Sequence, residues 1–366
     1  MRIVLDAMGG DHAPHEPVKG AVRAAKMYGS NVVLVGDEAQ IRAELKQYDT
    51  RGLNLMVVHA PEQIEMDEHP AQAIRRKSRS SHVIGLKLVQ EGVADAFVSA
   101  GHSGASMAGA LFILGRLPQI ERPALATILP SLHDRPMLLL DVGANTDCKP
   151  EYLAQFAQMG SIYAERTLGI PTPRIGLLAN GEESTKGNRL VQEAHLLLRE
   201  SNLNFIGNAE PKDLLVNDVC DVVVCDGFVG NLVLKMGEAT VSLAAKRGAL
   251  ELRRSFLPRL LLGVAPIAAL ALQPGPGRWR TLIGAAVGGT GMAGIMLYPL
   301  WRLRRVTDYR VYGGAPLLGV KGVVIIAHGR SDAVAVASAI RRAQEAVEVQ
   351  IVTTISEAVS AGAVTT

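Results

Sequence analysis

The most constraining feature of the sequence is a repeated alternation of short apolar runs with longer segments of helical pattern. The run Ile3–Leu5 precedes a helical segment at Pro17–Tyr28, and Phe97–Ser99 leads into a small, apolar helical segment at Ala105–Leu114. This rhythm predicts an α/β fold with a mostly parallel sheet and helices on both faces. The other runs are Val32–Val35, Leu55–Val58, Met137–Leu140, Ile175–Leu178, Val222–Cys225 and Val323–Ile326, followed by helical segments at Glu38–Leu45, Ala71–Gln90, Pro150–Thr167, Lys186–Arg199, Asn231–Leu252 and Asp332–Ala346.

Length and composition fit one large α/β domain with an insertion. The chain has 366 residues, of which 48% are hydrophobic and 20% charged, so a large core can form. A net charge of +3 and an aromatic content of 4% give no basis for nucleic-acid binding. The three cysteines provide no disulfide framework, and the N-terminus starts directly with a strand, without a signal-peptide pattern. We therefore expect a reduced, cytoplasmic setting.

The turn after the run Phe97–Ser99 is the first candidate for ligand binding. Gly101 and Gly104 allow the backbone to approach a ligand closely. The N–H groups of such a turn, together with a helix N-terminus, suit an anion such as phosphate. The turn matches neither the dinucleotide nor the P-loop pattern, so an ordinary strand-to-helix turn is the alternative interpretation.

Gly, Asp, Asn and Lys residues are concentrated in loops that follow four of the predicted strands. Because ligands bind at the carboxyl ends of strands in such sheets, these loops predict a shared polar cleft at one edge. Turn formation and helix capping by Asp, Asn and Ser are the alternative explanation for the same residues. The loops are residues 6–12, 141–149, 180–188 and 226–231.

These loops resemble the PlsX family of bacterial phosphate acyltransferases, and the resemblance keeps the order of the motifs to about Ala346. The family motifs correspond to Asp6–Asp11, Asp141–Asn145, Gly181–Glu183 with Lys186–Asn188, Asp226–Asn231, and Tyr312–Gly319. The resemblance departs at His102-Ser103, where the family has Asn-Thr, and at Ala179-Asn180, where the family's Asn stands one residue earlier.

The resemblance implies a Rossmann-like three-layer α/β/α fold, similar to isocitrate and isopropylmalate dehydrogenases, in a homodimer. The implied reaction converts long-chain acyl-acyl-carrier protein and inorganic phosphate to acyl phosphate for phospholipid (phosphatidic acid) synthesis, without a cofactor or a metal. The implied location is the cytoplasm, at the inner face of the cytoplasmic membrane. A downstream glycerol-3-phosphate acyltransferase is a further candidate partner.

The attack of phosphate on a thioester asks little of acid–base side chains. Phosphate is largely dianionic near neutral pH and a thiol can leave as thiolate, so the reaction needs positioning, oxyanion donors and a cation. We expect Lys186 to hold phosphate, Asn231 to donate to the oxyanion, and His102 to contact phosphate or the leaving sulfur. The alternatives are that Lys186 is a solvated lysine, that Asn231 caps a helix, and that His102 is a tolerated substitution. The other expected substrate-binding residues are Gly9, Gly10, Gly101, Ser103, Gly104, Asn145, Asn188, Asp226 and Gly227.

Neither a covalent cysteine nor a metal is expected. The neighbours of Cys148 give no activating pattern for a nucleophile. Asp11, Asp141 and Asp226 are interpreted as turn and strand-end residues rather than as metal ligands.

A basic cluster lies within the predicted helix Ala71–Gln90. The spacing of Arg75 and Arg79 would place both on one helix face, with Arg76 pointing elsewhere. We expect Arg75, Arg76 and Arg79 to bind the acidic carrier protein; a solvated helix face is the alternative.

Residues 252–308 form an apolar, arginine-flanked segment that divides the α/β domain, predicted at residues 1–251 and 309–348, with a tail at 349–366. Thr281–Trp301 has the length of a membrane span but Leu260–Leu272 does not, so we expect a helical hairpin in one leaflet, with Trp279 and Trp301 near the headgroups. A buried helical pair at a dimer interface is the alternative. Two other functions stay open, a nucleotide-dependent dehydrogenase and a non-catalytic membrane adaptor.

Overall fold

The computed structural model describes residues 1–129, 135–251, 254 and 313–361. Its strands are β1 Arg2–Asp6, β2 Asn31–Gly36, β3 Leu55–His59, β4 Ala96–Ser99, β5 Ala124–Leu129, β6 Met137–Leu140, β7 Ile175–Leu178, β8 Phe205–Ala209, β9 Val222–Val224, β10 Ala315–Leu318 and β11 Val323–Ile326. Its helices are α1 His15–Tyr28, α2 Glu38–Leu45, α3 Pro70–Arg76, α4 Ser81–Gln90, α5 Ser103–Gly109, α6 Pro150–Leu168, α7 Arg189–Glu200, α8 Pro211–Leu215, α9 Gly227–Glu251, α10 Ala333–Glu348 and α11 Ile351–Ala361. A π-helical turn, Ala110–Leu114, extends α5.

The strands form one sheet in the order β3-β2-β1-β4-β11-β10-β5-β6-β9-β7-β8. The first five strands are mutually parallel, and so are the last four, β6-β9-β7-β8. Strand β10 pairs antiparallel with both neighbours, and β5 pairs antiparallel with β6. The prediction of a mostly parallel α/β sheet is therefore confirmed.

The two parallel blocks run in opposite directions, which corrects the prediction that all the polar loops lie at one edge. The carboxyl ends of β1, β4 and β11 share one edge of the sheet, whereas those of β6, β7 and β9 lie at the other. The sequence could not reveal this reversal because it depends on β5 and β10, two strands that the apolar-run pattern did not identify. Strand β10 is difficult to predict from sequence because it follows Gly313 and Gly314, both at positive φ, and contains Pro316.

The predicted helix Ala71–Gln90 is two helices. Helix α3 ends at Arg76 because Lys77 leaves the helical conformation (φ −95°, ψ 66°), and α4 begins after Ser80, whose hydroxyl accepts the N–H of Val83. The prediction that Arg75 and Arg79 share a helix face is therefore wrong.

The core follows the strands, which are apolar and largely buried in both blocks, as expected when helices cover both faces of a sheet. Helix α1 packs on α10, and α6 packs on α7 and on α11. The tail predicted at residues 349–366 includes α11, whose Ile351, Ile355 and Val359 are buried.

Residues 1–232 and 309–366 make one compact unit, and residues 233–308 a second. Of the second unit, the structure describes residues 233–251, which belong to α9, and residue 254. In the part of the chain that the structure describes, no helix has the length and apolar character needed to cross a membrane. Leu260–Leu272, Thr281–Trp301, Trp279 and Tyr312 lie outside the described residues, so the membrane hairpin stays a prediction.

Candidate functional site

Two turns after the neighbouring parallel strands β1 and β4 are in direct contact; we call residues 8–10 and 101–104 the glycine turns. A Cβ atom on Gly9 would lie 2.7 Å from the backbone nitrogen of Gly101 and 2.5 Å from Oδ2 of Asp6, so no other residue fits there. Gly104 likewise allows close packing, since a Cβ there would lie 2.7 Å from Cγ of Pro70, the first residue of α3. The structure thus brings together Gly9, Gly10, Gly101, Ser103 and Gly104.

The backbone N–H groups of the glycine turns fall into two sets. Within the described residues, the N–H groups of Gly9, Gly10, His102, Ser103 and Gly104 have no hydrogen-bond partner. By contrast, the N–H of Gly101 is donated to Oγ of Ser99, and that of Met8 to Oδ1 of Asp6. Neighbouring backbone N–H groups that lack an acceptor among the described residues favour an anionic ligand.

The ring of His102 makes its contacts within the protein. Its Nδ1 accepts the N–H of Ala105 and caps α5, and its Nε2 lies 3.0 Å from the carbonyl oxygen of Glu68. Both ring nitrogens therefore have protein partners, and the capping role, rather than a phosphate or sulfur contact, is what the geometry supports.

A buried polar network that the sequence analysis missed lies directly below the glycine turns. Asp6 (1% exposed) accepts a hydrogen bond from Oγ of Ser99 at 2.8 Å, and its Oδ2 lies 3.3 Å from Nδ1 of His82 (2% exposed). Nε2 of His82 lies 3.2 Å from Oγ of Ser106 and 3.3 Å from Oγ of Ser99. Burial lowers the pKa of His82, so its ring is neutral at neutral pH. Part of the signal was present in the sequence, because Asp6 and Ser99 are polar residues at the ends of two apolar strands.

The second cluster of functional candidates is built on Asp141, a fully buried residue that follows β6. Its carboxylate accepts the N–H groups of Leu125, Gly143, Ala144 and Asn145, and also the side-chain amide of Asn145. Burial raises the pKa of Asp141, and the hydrogen bonds oppose that rise. Asp141 therefore shapes the turn 141–145, and Asn145 is occupied within it, donating also to the carbonyl of Pro123.

The start of α9 packs against this turn. The N–H of Gly227 is donated to the carbonyl of Asn145, and a Cβ on Gly227 would lie 2.7 Å from that oxygen. Asp226 accepts the N–H of Val229 and so acts as a helix cap. Asn231 lies one turn further on, with its side chain about 4 Å from the Cβ position of Gly143. Its amide makes no hydrogen bond to any residue that the structure describes.

Lys186 lies in the loop after β7, two residues before the cap of α7 rather than at the helix start. Asn188 is that cap, accepting the N–H of Val191 through Oδ1. Lys186 is exposed and forms no salt bridge with the described residues, whereas nearby Lys212 pairs with Glu182 and Glu210. Because β7 lies beside β9 in the sheet, the Lys186 loop follows a strand adjacent to the one that precedes Asn231.

Several side chains fix the Lys186 loop in place. The amide of Asn208 donates to the carbonyl of Glu183 and is itself bonded to the buried ring of His195. Oδ1 of Asn180 accepts the N–H of Gly187, and the amide of Gln192 donates to the carbonyls of Thr185 and Gly187. The loop is therefore held by its own hydrogen bonds while the Lys186 cation stays available.

Cys148, which was not expected to be a nucleophile, lies in a half-buried position. Burial raises the pKa of Cys148 to about 12, so the thiol is not a nucleophile at neutral pH.

Arg75, Arg76 and Arg79 are exposed at the end of α3 and in the following turn. The guanidinium of Arg75 lies 4.9 Å from the ring centre of Phe112, which is 51% exposed. Together these four residues form what we call the basic–aromatic patch.

The chain is similar to known proteins over nearly its whole length. A model of the family described as "Fatty acid synthesis protein" matches residues 1–266 and 284–354. The chain is 58% identical to a phosphate acyltransferase of Herpetosiphon aurantiacus, over 98% of this chain and 97% of the relative, and 48% identical to one of Pelotomaculum thermopropionicum, over 95% and 92%. The fold is similar to the EutD phosphotransacetylase of Staphylococcus aureus, with a TM-score of 0.55 at 17% identity over 95% of this chain and 94% of that one. The chain therefore belongs to the fatty acid synthesis protein family and is a phosphate acyltransferase of that family.

Proposed function

We propose that the protein transfers a long-chain acyl group from an acyl-carrier-protein thioester to inorganic phosphate, for use in phospholipid synthesis. The observation that carries the assignment of residues is the pairing of β6, β9 and β7 as adjacent parallel strands. The 141–145 turn, Asn231 and Lys186 follow the carboxyl ends of these strands, which share one edge of the sheet. A cation, and an amide with no hydrogen-bond partner among the described residues, supply the two side-chain functions that the reaction needs.

In this mechanism the phosphate dianion attacks the thioester carbonyl carbon, and the carrier thiolate leaves from the tetrahedral intermediate. Lys186 offsets the charge of phosphate and holds one of its oxygens, while the amide of Asn231 donates to the carbonyl oxyanion. No general base is required, because phosphate is already a dianion near neutral pH. The glycine turns contribute backbone N–H donors to a phosphoryl or thioester group.

Sheet twist supports a single site served by both edges. Neighbouring strands rotate by roughly 20–25° each, so the five steps from β4 to β9 accumulate about 100–125°. Strands that are formally antiparallel then differ in direction by only about 55–80°. We infer that a twist of this size brings the two clusters to face a common cleft, as the resemblance to dehydrogenase-like three-layer folds implies.

The basic–aromatic patch is the proposed dock for the acidic carrier protein. Arg75, Arg76 and Arg79 supply exposed positive charge, and Phe112 adds an apolar contact beside it. Helix α3 touches the glycine turns through Pro70 and Gly104, so a carrier held on this helix presents its thioester arm close to the unpaired N–H groups.

We further propose that residues 252–308 are an insertion that associates with the cytoplasmic face of the membrane, in a protein that functions as a homodimer. The apolar sequence with flanking arginines and tryptophans supports this proposal. Such an anchor would keep acyl phosphate near the membrane, where a glycerol-3-phosphate acyltransferase uses it.

The experiment is release of free thiol from acyl-carrier protein, measured over a range of phosphate concentrations. We expect release by the wild-type protein to require phosphate and to persist in a chelator. Lys186→Ala should raise the KM for phosphate at least tenfold, because loss of a charge-assisted contact costs about 1.5–3 kcal/mol. The matched control is Arg189→Ala, which removes an exposed cation nearby that is already paired with Glu193. Equal KM values for phosphate in the two variants would remove Lys186 from the site, and phosphate-independent release would refute the reaction.

A further inference from the structure

The network of Asp6, His82, Ser99 and Ser106 has no part in the mechanism above, although it lies directly below the glycine turns. It joins the ends of β1 and β4 to α4 and α5, and all four side chains are buried. The order of contacts, Ser106 to His82 to Asp6, is that of a hydrolase triad. Ser106 is fully buried within α5, so no substrate can reach its hydroxyl and nucleophilic catalysis is excluded.

The contacts instead connect the network to the backbone of the glycine turns. Oγ of Ser99 donates to Asp6 and accepts the N–H of Gly101 at 3.0 Å, and Oδ1 of Asp6 accepts the N–H of Met8 at 3.1 Å. One N–H of each turn is thereby fixed inward. The following N–H groups, those of Gly9, Gly10 and His102–Gly104, are left without partners among the described residues.

We propose that Ser99 and His82 are positioning residues that hold the two glycine turns in register as a cradle for a phosphoryl oxyanion. The inference rests on the proposed function, which places these turns at the substrate. Ser99 is central because its hydroxyl contacts Asp6, His82 and the N–H of Gly101 at once. His82 fills the space below Gly101, where a Cβ would lie 3.0 Å from its Cε1, and holds Ser99 from the other side. The phosphoryl group belongs either to inorganic phosphate or to the phosphodiester arm that carries the thioester.

The test compares Ser99→Ala with Ser81→Ala in the full chain. Ser81 is also a buried serine, at the adjacent position to His82, but its Oγ has no hydrogen-bond partner among the described residues. Both changes remove the same atom from a buried site, and only one of them releases the N–H of Gly101. We expect Ser99→Ala to raise one KM about tenfold while kcat falls less than threefold, with Ser81→Ala close to wild type in both. A rise in the KM for phosphate identifies the cradle with inorganic phosphate, and a rise in the KM for acyl-carrier protein identifies it with the thioester arm.

His82→Gln provides the second variant, because its amide can still donate toward Ser99 and Ser106. It should affect the same KM as Ser99→Ala, less strongly than His82→Leu, which cannot donate. Equal kinetics of Ser99→Ala and Ser81→Ala, or a fall in kcat with both KM values unchanged, would overturn the proposal. Loss of phosphate-dependent thiol release in the wild type would instead refute the proposed function. In that case the phosphate-induced rise in Tm still tests the cradle, since it should shrink in Ser99→Ala and persist in Ser81→Ala.

Discussion

Gly230 is the position where the structure makes the sharpest prediction about the second cluster. A Cβ atom built on Gly230 falls on the backbone carbonyl oxygen of Asp141, far inside the 3.0 Å that real Cβ atoms keep, and also lies 2.9 Å from Sγ of Cys225. The atom in the way is backbone that Asp141 fixes with its own side chain. Gly230→Ala must therefore push the first turn of α9 away from the turn 141–145.

The magnitude follows from two opposing effects. Inserting a methyl group into a packed site costs about 1–3 kcal/mol, and the upper half applies here because the backbone carbonyl of Asp141 and the buried sulfur of Cys225 both lie in the way. Alanine recovers up to about 1 kcal/mol of helix propensity over glycine. We expect a net loss of about 2 kcal/mol, together with a fall in kcat/KM, since displacement of α9 separates Asn231 from Gly143.

Gly237→Ala is the matched control because Gly237 lies in the same helix and has no described atom within 4 Å of its Cβ position. This variant should gain up to about 1 kcal/mol, so the two alanine variants should differ by about 3 kcal/mol. Urea unfolding, followed by circular dichroism, measures the difference, and thiol release measures activity. Equal stability of Gly230→Ala and Gly237→Ala would refute the contact between α9 and the Asp141 turn.

Three further predictions test other parts of the molecule. Changing both Arg75 and Arg79 to glutamate should raise the KM for acyl-carrier protein more than the KM for phosphate. The control changes Arg23 and Lys26, two exposed cations on α1, to glutamate and should raise the KM for acyl-carrier protein less. Equal effects of the two double variants would show that the patch is not the docking surface. Because burial lowers the pKa of His82, which faces Asp6 and His102, unfolding takes up a proton below about pH 6.5 and stability falls as the pH falls. His82→Gln should lessen that slope, by up to about 1.4 kcal/mol per pH unit, in urea unfolding at pH 7.5 to 5.5; an unchanged slope would contradict a buried neutral ring. The full chain should sediment with anionic vesicles, and a chain lacking Phe256–Trp301 should not; recovery of both in the supernatant would favour the dimer-interface alternative.

Local pattern was sufficient to predict the fold class and most of the elements. Apolar strands buried on both faces are continuous Val, Ile and Leu runs, which is why β1, β2, β6 and β7 were recognised. The direction of the strands was not predictable, because it depends on long-range pairing of β10 with β5 and β11. The end of α3 after Arg76 was not predicted, because Ser78 and Ser80 were included in one long helix, although serine commonly caps a helix.

Some site residues could likewise be predicted from local sequence, whereas others are brought together only by packing. Lys186 and Asn231 were predicted from residue type, each beside a glycine of its own loop (Gly187 or Gly230), and both side chains are exposed. Asn188 and Asp226 turn out to be helix caps, which was the alternative stated for such loops. His82 and Ser106 could not be found from spacing, because 24 residues separate them and only packing of α4 on α5 brings them together.

Asp6 and Asp141 organise the two turns from which we propose that the anion site is built. Each aspartate ends a strand, is buried, and accepts the N–H of the residue two positions later, Met8 or Gly143. A buried negative charge close to an anion site would oppose binding by itself. Here each carboxylate is offset by hydrogen-bond donors: five N–H groups surround Asp141, while Ser99 and Met8 donate to Asp6. The carboxylates thus hold the backbone of each turn in place, and a fixed backbone suits a reaction limited by positioning rather than by proton transfer.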